Sequence, residues 1–512
     1  MHTKKRKGSG NSIMRAVVVG LSLLLQIGWL LLIILELNRY STYIALFSSL
    51  LASLIVLRLY SKDTNSAFKL PWIMLIMALP VMGMSLYLMT QIRSVSRYTQ
   101  RKLRAARASI HQSLPDSDDA LKQIASLDPA AAGACRHLLT SSCSPVYKNT
   151  SVTYYPEAVQ AFEAMKLALE QAEDFIFMEY FIVDSGEAFS QIREILSRKA
   201  RQGVDVRLMY DDFGSIGYVN LRFARELNQE GIRCQVFNPA LPVLNLFMNH
   251  RDHRKITVID GKIGFTGGYN LANEYFGITQ PYGHWKDTGI RMEGDAVQGL
   301  TATFLELWSA AVRTNEDPAR YLSVRHSVSA QGFVQPFGDD PLDSEPAAEN
   351  AYLNIIGSAT KYVWFMTPYL IITDELSRAL GLAAKRGVDV RIITPGIPDK
   401  KPVYAVTRSY YAQLIRQGVR IFEYTPGFCH GKQCVSDGKV ACIGTSNLDY
   451  RSLYHHFENN TMLYHCPAVA DIEQDFAKTF SQCREVTEEY RSSRPVSLRI
   501  WQCILRLFSP LL

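Results

Sequence analysis

His253-Arg254-Lys255-Ile256-Thr257-Val258-Ile259-Asp260, continued at Gly267-Gly268-Tyr269-Asn270, reads by spacing as H-x-K-x4-D-x6-G-G-x-N. The pattern returns as His430-Gly431-Lys432, Asp437 and Gly444-Thr445-Ser446-Asn447, with every interval unchanged. A single copy would be a weak signal, because a long chain easily places a His, a Lys and an Asp near one another. Two copies with matched gaps point to a duplicated unit.

In each copy H-x-K opens an apolar strand, Ile256 to Ile259 or Cys434 to Ser436. Asp260-Gly261-Lys262 or Asp437-Gly438-Lys439 then makes a tight turn, and a second strand runs into the Gly corner. Side chains alternate along a strand, so His253 and Lys255 share a face, as do His430 and Lys432.

The flanking sequence repeats too. Pro156 to Ala172 has helical spacing, Phe175 to Val183 is strand-like, Ala188 to Gln202 is helical and Val204 to Tyr210 is a buried strand. The second round runs helix from Ala351 to Lys361, strand from Tyr362 to Ile372, helix from Asp374 to Arg386 and strand from Val388 to Thr394. Gly203-Val204-Asp205-Val206-Arg207 recurs letter for letter at Gly387 to Arg391. Strand, helix, strand with short links predicts parallel crossover units, hence an α/β fold in two copies.

If the halves face each other about a pseudo-two-fold axis, the site holds two imidazoles, two ammonium groups and two Asn amides, from Asn270 and Asn447. That set suits a phosphodiester. Lysines and amides bind the non-bridging oxygens, one His attacks phosphorus, and the other protonates the leaving alkoxide. A covalent phospho-histidine then passes its group to a second acceptor. The chemistry needs no metal, and the sequence offers no convincing metal cluster and implies no cofactor. Other histidines (His250, His455, His456, His465) are read as structural, and Cys434 and Cys442 as packing residues. Asp260 and Asp437 are expected to hold the turn and the imidazole environment within the site.

Composition frames this chemistry. The 512-residue chain has a formal net charge of +7, which suits an anionic membrane surface or phosphate-bearing substrates, although a nucleic-acid groove would look similar. Nine scattered cysteines without C-x-x-C pairs argue against a disulfide framework and for a reducing compartment. Three apolar runs, Ala16 to Leu35, Tyr43 to Leu59 and Leu70 to Met89, predict membrane anchoring. Positive residues flank them on both sides, Lys4 to Arg15 and Arg93 to Arg107, and both flanks prefer the cytoplasm. Three full spans cannot satisfy both: either one run is re-entrant or the N-terminal flank crosses. A cytoplasmic catalytic region is the expectation. Arg494 to Leu512 reads either as an interfacial amphipathic helix or as a helix packed on the domain.

The paired H-x-K-x4-D with its downstream Gly and Asn resembles the phospholipase D superfamily, and more closely the bacterial cardiolipin synthases. The likeness runs from Ala67-Phe68-Lys69-Leu70-Pro71-Trp72 to the C-terminus. It includes Met178-Glu179-Tyr180-Phe181, Asp211 to Ser215, Asn249 to Lys255, Thr367-Pro368-Tyr369 and Asn447 to Ser452. It implies two duplicated phospholipase D-like domains, each a sheet flanked by helices, preceded by N-terminal transmembrane helices. The corresponding boundaries are 1–92 for a membrane anchor of two to three helices, 93–149 for a helical connector, 150–331 and 332–490 for the two domains, and 491–512 for the tail.

The resemblance further implies that His253 is the nucleophile and His430 the general acid and later base. Lys255, Lys432, Asn270 and Asn447 would bind phosphate, and Glu458 would orient a catalytic His with Asp287 as its counterpart. The sequence's own symmetry does not choose between the two histidines. The implied reaction is phosphatidyl transfer between two phosphatidylglycerol molecules at a bacterial cell membrane, giving cardiolipin and glycerol. The alternatives are hydrolysis, transfer to another alcohol, or a membrane-tethered nuclease. The three apolar runs and the lack of a basic tract interleaved with aromatics count against a nucleic-acid partner. The pattern departs from the family's at Gly267-Gly268, which stands opposite Gly444-Thr445-Ser446, and at Gly431, where Thr or Ser is common.

Overall fold

In a computed structural model of the chain, the described residues are 42–90, 97–239, 250–312, 317–343, 345–491, 495–507 and 509, with a few positions between 21 and 31. The first sheet is built from β1 (Thr150–Tyr155), β2 (Phe175–Tyr180), β3 (Asp205–Asp211), β4 (Arg233–Phe237), β6 (Lys255–Ile259), β7 (Ile263–Gly267) and β9 (Gly289–Gly294). Between these lie two short strands, β5 (Arg251–Asp252) and β8 (His284–Lys286), which pair elsewhere. The strand order is β1-β9-β7-β6-β2-β3-β4.

The second sheet uses β10 (Phe333–Asp339), β11 (Tyr362–Met366), β13 (Asp389–Pro395), β14 (Arg420–Tyr424), β16 (Gln433–Ser436), β17 (Val440–Gly444), β19 (His456–Tyr464) and β20 (Cys483–Glu485). The short β12 (Leu370–Ile371), β15 (Gly427–Cys429) and β18 (Leu448–Asp449) lie outside it. Its order is β10-β19-β17-β16-β11-β13-β14-β20, which repeats the first sheet strand for strand before adding β20.

The duplication extends to register. Phe175 pairs with Asp205 across parallel β2 and β3, as Tyr362 pairs with Asp389 across β11 and β13. Ile176 pairs with Ile259 across antiparallel β2 and β6, as Val363 pairs with Ser436 across β11 and β16. The identical Gly-Val-Asp-Val-Arg segments enter β3 and β13, their glycines at φ +94° and +91° where the helix hands over to the strand. Parallel neighbours are joined through the helices Glu187–Arg201 and Asp374–Lys385, as the strand–helix–strand reading predicts.

The predicted strand Phe175 to Val183 stops at Tyr180, where Ile182 turns to donate its N–H to the Asn270 side chain. The predicted strand Tyr362 to Ile372 breaks after Met366 and resumes at Leu370 against Leu448. Pro368 lies in the gap and has no N–H for a ladder. One apolar cluster lies under the helices of each half, and a third is shared. The shared cluster takes Phe177 and Val258 from one sheet, Val435 and Ile443 from the other, and Phe304, Trp308 and Phe476 from helices.

The membrane end requires a correction. The first apolar run, 16–35, lies for the most part outside the described residues. The second forms the helix Thr42–Tyr60, and the third is not one span but two helices, Ser66–Ala78 and Pro80–Thr90. Leu79, at φ −137° and ψ 79°, leaves the helical region because the ring of Pro80 disfavours α geometry in the residue before it. A Cβ at Gly83 would stand 2.6 Å from the Ile76 Cα, so the two short helices fold closely on each other. No described helix is long and apolar enough to cross a membrane, so the transmembrane helices expected in residues 1–92 are not found among the described residues.

This layer rests on the second half. Phe68 packs edge-on against Tyr450, Tyr454 and His455 with centroids 5.0–5.4 Å apart. The connector follows as helices Arg97–Gln112, Asp118–Leu127 and Pro129–Ser141. Arg107 joins both halves, bonding Glu306 at 3.0 Å on one side and Asp340 on the other. On the tail helix Val496–Leu507, Leu505 and Arg506 pack on the domain, while Leu498, Ile500, Trp501 and Ile504 stay exposed.

Candidate active site

Two short strand pairings stitch the halves together at the histidines. β5 leaves its own sheet and pairs with the start of β19, Arg251 opposite His456 and Asp252 opposite Phe457. β15 does the same in reverse, pairing with β8 so that Cys429 faces Lys286. Each borrowed strand ends at an H-x-K histidine. The His253 N–H donates to the Phe457 carbonyl at 2.9 Å, and the His430 N–H to the Lys286 carbonyl at 2.7 Å.

The next residue on each host strand is an acid. Glu458 lies with both carboxylate oxygens 2.9 Å from His253 Nδ1, and Asp287 Oδ2 lies 2.6 Å from His430 Nδ1. Both acids are fully buried. Each carboxylate therefore accepts a hydrogen bond from Nδ1–H, which fixes the tautomer and leaves Nε2 of each imidazole with its lone pair free for phosphorus or for a proton.

The Gly corners differ because the two acids differ in length. A Cβ at Gly268 would sit 2.1 Å from Asp287 Oδ1, so only glycine admits the shorter acid. At the matching place Thr445 donates its hydroxyl to Glu458 Oε2 at 2.5 Å. Gly431 is likewise a space requirement, since a Cβ there would meet the Met366 sulfur at 2.7 Å.

Lys255 and Lys432 are buried beside the histidines, each donating from Nζ to the carbonyl of its own H-x-K histidine at 2.5 Å. Burial pulls Lys255 down to about 7, with Glu458 opposing and Lys432 reinforcing, and Lys432 to about 8, with Asp287 and Glu458 opposing. His430 is lowered to about 4 by burial and by Lys432, against the pull of Asp287. His253 is held well below its ordinary value by burial and then by the two lysines. Both imidazoles are thus neutral near pH 7, as a nucleophile and a base must be. An anionic phosphodiester between the lysines would raise all four groups.

The structure brings His253, Lys255, His430, Lys432, Asp287 and Glu458 together. The two amides differ. Asn270 is committed to the Ile182 N–H and, at 2.8 Å, to the Tyr275 hydroxyl, whereas Asn447 Oδ1 is buried without a hydrogen-bond partner among the described residues. Asp260 and Asp437 do not join the site. Each sits at the far end of its strand with φ near +53°, followed by a glycine also at positive φ, as a type I′ turn requires. The Asp260 carboxylate accepts the N–H groups of Glu173, Asp174 and Phe175 at 2.8–2.9 Å. Asp437 accepts those of Thr360, Lys361 and Tyr362. They fasten the strand that carries the lysine and have no contact with the imidazoles.

Sequence reasoning missed the walls. Phe181 stands 5.0 Å from the His253 ring, and Tyr275, Trp285 and Phe428 surround His430 at 5.3–5.7 Å. It also set aside His456, whose ring lies 5.3 Å from that of His253. His253, His456 and Glu458 offer three ligand atoms within 4.8 Å of one another, a set able to hold a metal ion, contrary to the expectation of no metal cluster.

The family described as "Cardiolipin synthase, PLD-like domain" matches residues 165–308 and 352–480, the two halves that carry these histidines. The chain belongs to that family. Among its relatives, a cardiolipin synthase from Geobacillus kaustophilus is 37% identical over 72% of this chain and 74% of its own length. One from Halalkalibacterium halodurans is 32% identical over 89% of this chain and 91% of its own. An uncharacterized protein from Streptococcus mutans is 40% identical over 89% and 99%. Among solved structures, phosphatidylserine synthase from Haemophilus influenzae superposes with a TM-score of 0.58 at 13% identity, covering 74% of this chain and 99% of that one, and so shares the fold. In this cardiolipin synthase family member, the two H-x-K copies lead into equivalent strands, and their histidines and lysines are brought together where the halves meet.

Proposed function

We propose that the chain is a cardiolipin synthase that moves a phosphatidyl group from one phosphatidylglycerol to another. The observation that carries this reading is the pair of imidazoles, each with Nδ1 held by an acid from the opposite half and Nε2 left free. His253 Nε2 attacks phosphorus, forming an N–P bond. Binding of the anionic phosphodiester raises His430, which takes up a solvent proton on Nε2; the bond to the glycerol headgroup oxygen then breaks as His430 gives that proton to the departing oxygen and glycerol leaves. His430, now neutral, takes the proton from a hydroxyl of the second phosphatidylglycerol, whose oxygen displaces His253 and yields cardiolipin. Lys255 and Lys432 bear the charge that develops on the non-bridging oxygens; the unpartnered Asn447 Oδ1 is itself an acceptor and does not join them. Family likeness, rather than geometry, assigns the nucleophile to His253.

Membrane residence belongs to the same proposal. Leu46, Phe47, Leu50, Leu54 and Leu57 on the helix Thr42–Tyr60, with Met74 and Met77 on the next, are exposed and apolar, and the tail helix adds Ile500, Trp501 and Ile504. Contiguous apolar surface of this kind is costly in water and favourable against lipid. A lipid-facing entrance in a bacterial cell membrane, with the catalytic halves on the cytoplasmic side, lets a second lipid alcohol outcompete water. The partners are then phosphatidylglycerol and the bilayer, not nucleic acid.

The test is purified full-length chain in vesicles containing labelled phosphatidylglycerol. Cardiolipin and glycerol should appear together, and His253→Ala should make neither. Phosphatidic acid without cardiolipin would replace this reading with hydrolysis.

A further inference from the structure

We propose that His253, His456 and Glu458 form a binding site for a divalent transition-metal ion of the zinc class, and that the ion shuts the enzyme off by occupying the nucleophile. The inhibitory half of this proposal rests on His253 being a reacting group, as read above; the binding half does not.

Three observations converge. His456 is 7% exposed, and neither of its ring nitrogens has a hydrogen-bond partner among the described residues. A buried imidazole without partners is uncommon, because water has been stripped from both nitrogens with nothing in return. Its Nδ1 points to the acid that orients the nucleophile, 3.7 Å from Glu458 Oε1, too far for a hydrogen bond. The His253 Nδ1 lies 2.9 Å from both oxygens of the same carboxylate, and the His253 and His456 rings are 5.3 Å apart.

The spacing suits an ion better than a proton. Ligands about 2.0–2.1 Å from a tetrahedral centre lie roughly 3.3 Å from one another. The Glu458 edges to His253 and His456, 2.9 and 3.7 Å, straddle that length, and the three ligand atoms all lie within 4.8 Å of one another, so side-chain shifts would place an ion among the three groups. Two imidazoles and one carboxylate form a borderline ligand set that favours zinc, cobalt or ferrous iron over calcium or magnesium. His253 and His456 each keep slight exposure, so an ion can enter by the route substrate needs. With the ion on His253 Nδ1, the ring proton moves to Nε2, which becomes an N–H with no lone pair for phosphorus. The ammonium groups of Lys255 and Lys432 oppose the ion while Glu458 and Asp287 favour it, which makes it exchangeable rather than a permanent structural metal.

The experiment uses full-length chain in detergent, cleared of metal with chelator, then titrated with Zn2+ and separately with Co2+. We expect one ion per chain, with Co2+ giving the visible d–d bands of a low-coordinate nitrogen and oxygen site. His456→Asn and His456→Phe should each weaken binding by more than the roughly 10–100-fold typical of second-sphere losses, while His430→Ala should leave it intact. In phosphatidylglycerol vesicles, Zn2+ should inhibit the wild type reversibly, and the ratio of activity with and without Zn2+ should return toward unity in His456→Asn. Failure of the wild type to bind, or binding indifferent to His456, overturns the site. Cardiolipin formation without ion binding sinks this proposal and leaves the function standing. Ion binding without cardiolipin formation does the reverse.

Discussion

Glu458 holds His253 by its Nδ1 nitrogen at 2.9 Å, although the two lie 205 residues apart and belong to different halves. Asp287 holds His430 by the same nitrogen in the opposite direction. Neither half can orient its own histidine.

Exchange of the two acids makes them testable without disturbing the fold. Glu458→Gln and Asp287→Asn keep size and shape but lose the charge that fixes the imidazole tautomer. Each should lower kcat on the order of 10²–10⁴-fold, with circular dichroism unchanged. Samples quenched in neutral denaturing detergent, which spares the acid-labile N–P bond, distinguish them: Glu458→Gln should contain little phosphatidyl-enzyme, and Asp287→Asn, slowed at both steps that use His430, should hold more of it than Glu458→Gln. Equal, small losses in both would contradict the assigned roles.

Asp260 and Asp437 should behave as structural residues despite their place in the motif. Replacing either with Ala removes three backbone N–H bonds to a carboxylate and puts alanine at positive φ. The expected cost is on the order of 2–4 kcal/mol, seen as a lower Tm. Activity per folded molecule should change only a few-fold, and a thousand-fold loss in kcat with unchanged Tm would place the acid in the chemistry after all.

Gly268→Ala tests the close approach of Asp287. The added methyl would collide with Asp287 Oδ1 and come within 3.1 Å of the His430 carbonyl. Displacing that acid should cost about as much activity as Asp287→Asn, and the double variant should be no worse than either single one. Additive losses would mean that the two positions act independently.

Buried imidazoles make a site-by-site prediction about acid. Unperturbed imidazoles titrate near 6.5, whereas burial holds His430 to about 4 and His455 and His456 to about 3. Each of these rings binds fewer protons folded than unfolded between those values, so its share of stability, present above pH 6.5, is lost as pH falls toward 4, by up to about 1.4 kcal/mol per pH unit. Buried carboxyls oppose the trend: Asp211, pushed up to about 7, and Asp252, pushed up to about 6, hold their protons in the folded state over the same window. Comparison with His456→Asn isolates one ring: between about pH 7.5 and about pH 4.5 the variant should lose less Tm, or gain more, than the wild type. Identical profiles would contradict the burial of this imidazole.

The exposed apolar helix makes a prediction about the bilayer. Leu50→Asp with Leu54→Asp places two charges on the surface of Thr42–Tyr60. At roughly 2.5–3.5 kcal/mol for each Asp deep in a membrane, the variant should shift from the membrane pellet to the supernatant. Unchanged sedimentation would remove this helix from the lipid contact.

The sequence by itself determined the duplicated α/β architecture. Matched intervals, the repeated Gly-Val-Asp-Val-Arg segment and the Asp-Gly turns are local signals, and strands, turns and crossovers obey local rules of alternation and φ. It also named all four central residues, His253, Lys255, His430 and Lys432. Tertiary structure decided which acid serves which histidine, because β5 and β15 leave their own sheets to pair across the interface, a choice no local periodicity encodes. It moved Asp260 and Asp437 out of the site, since a strand of five or four residues separates each from its histidine. It brought His456 beside His253, because two residues on different strands become neighbours only when the sheets dock. Chain spacing specifies what each half can present; packing specifies what the two halves present to each other.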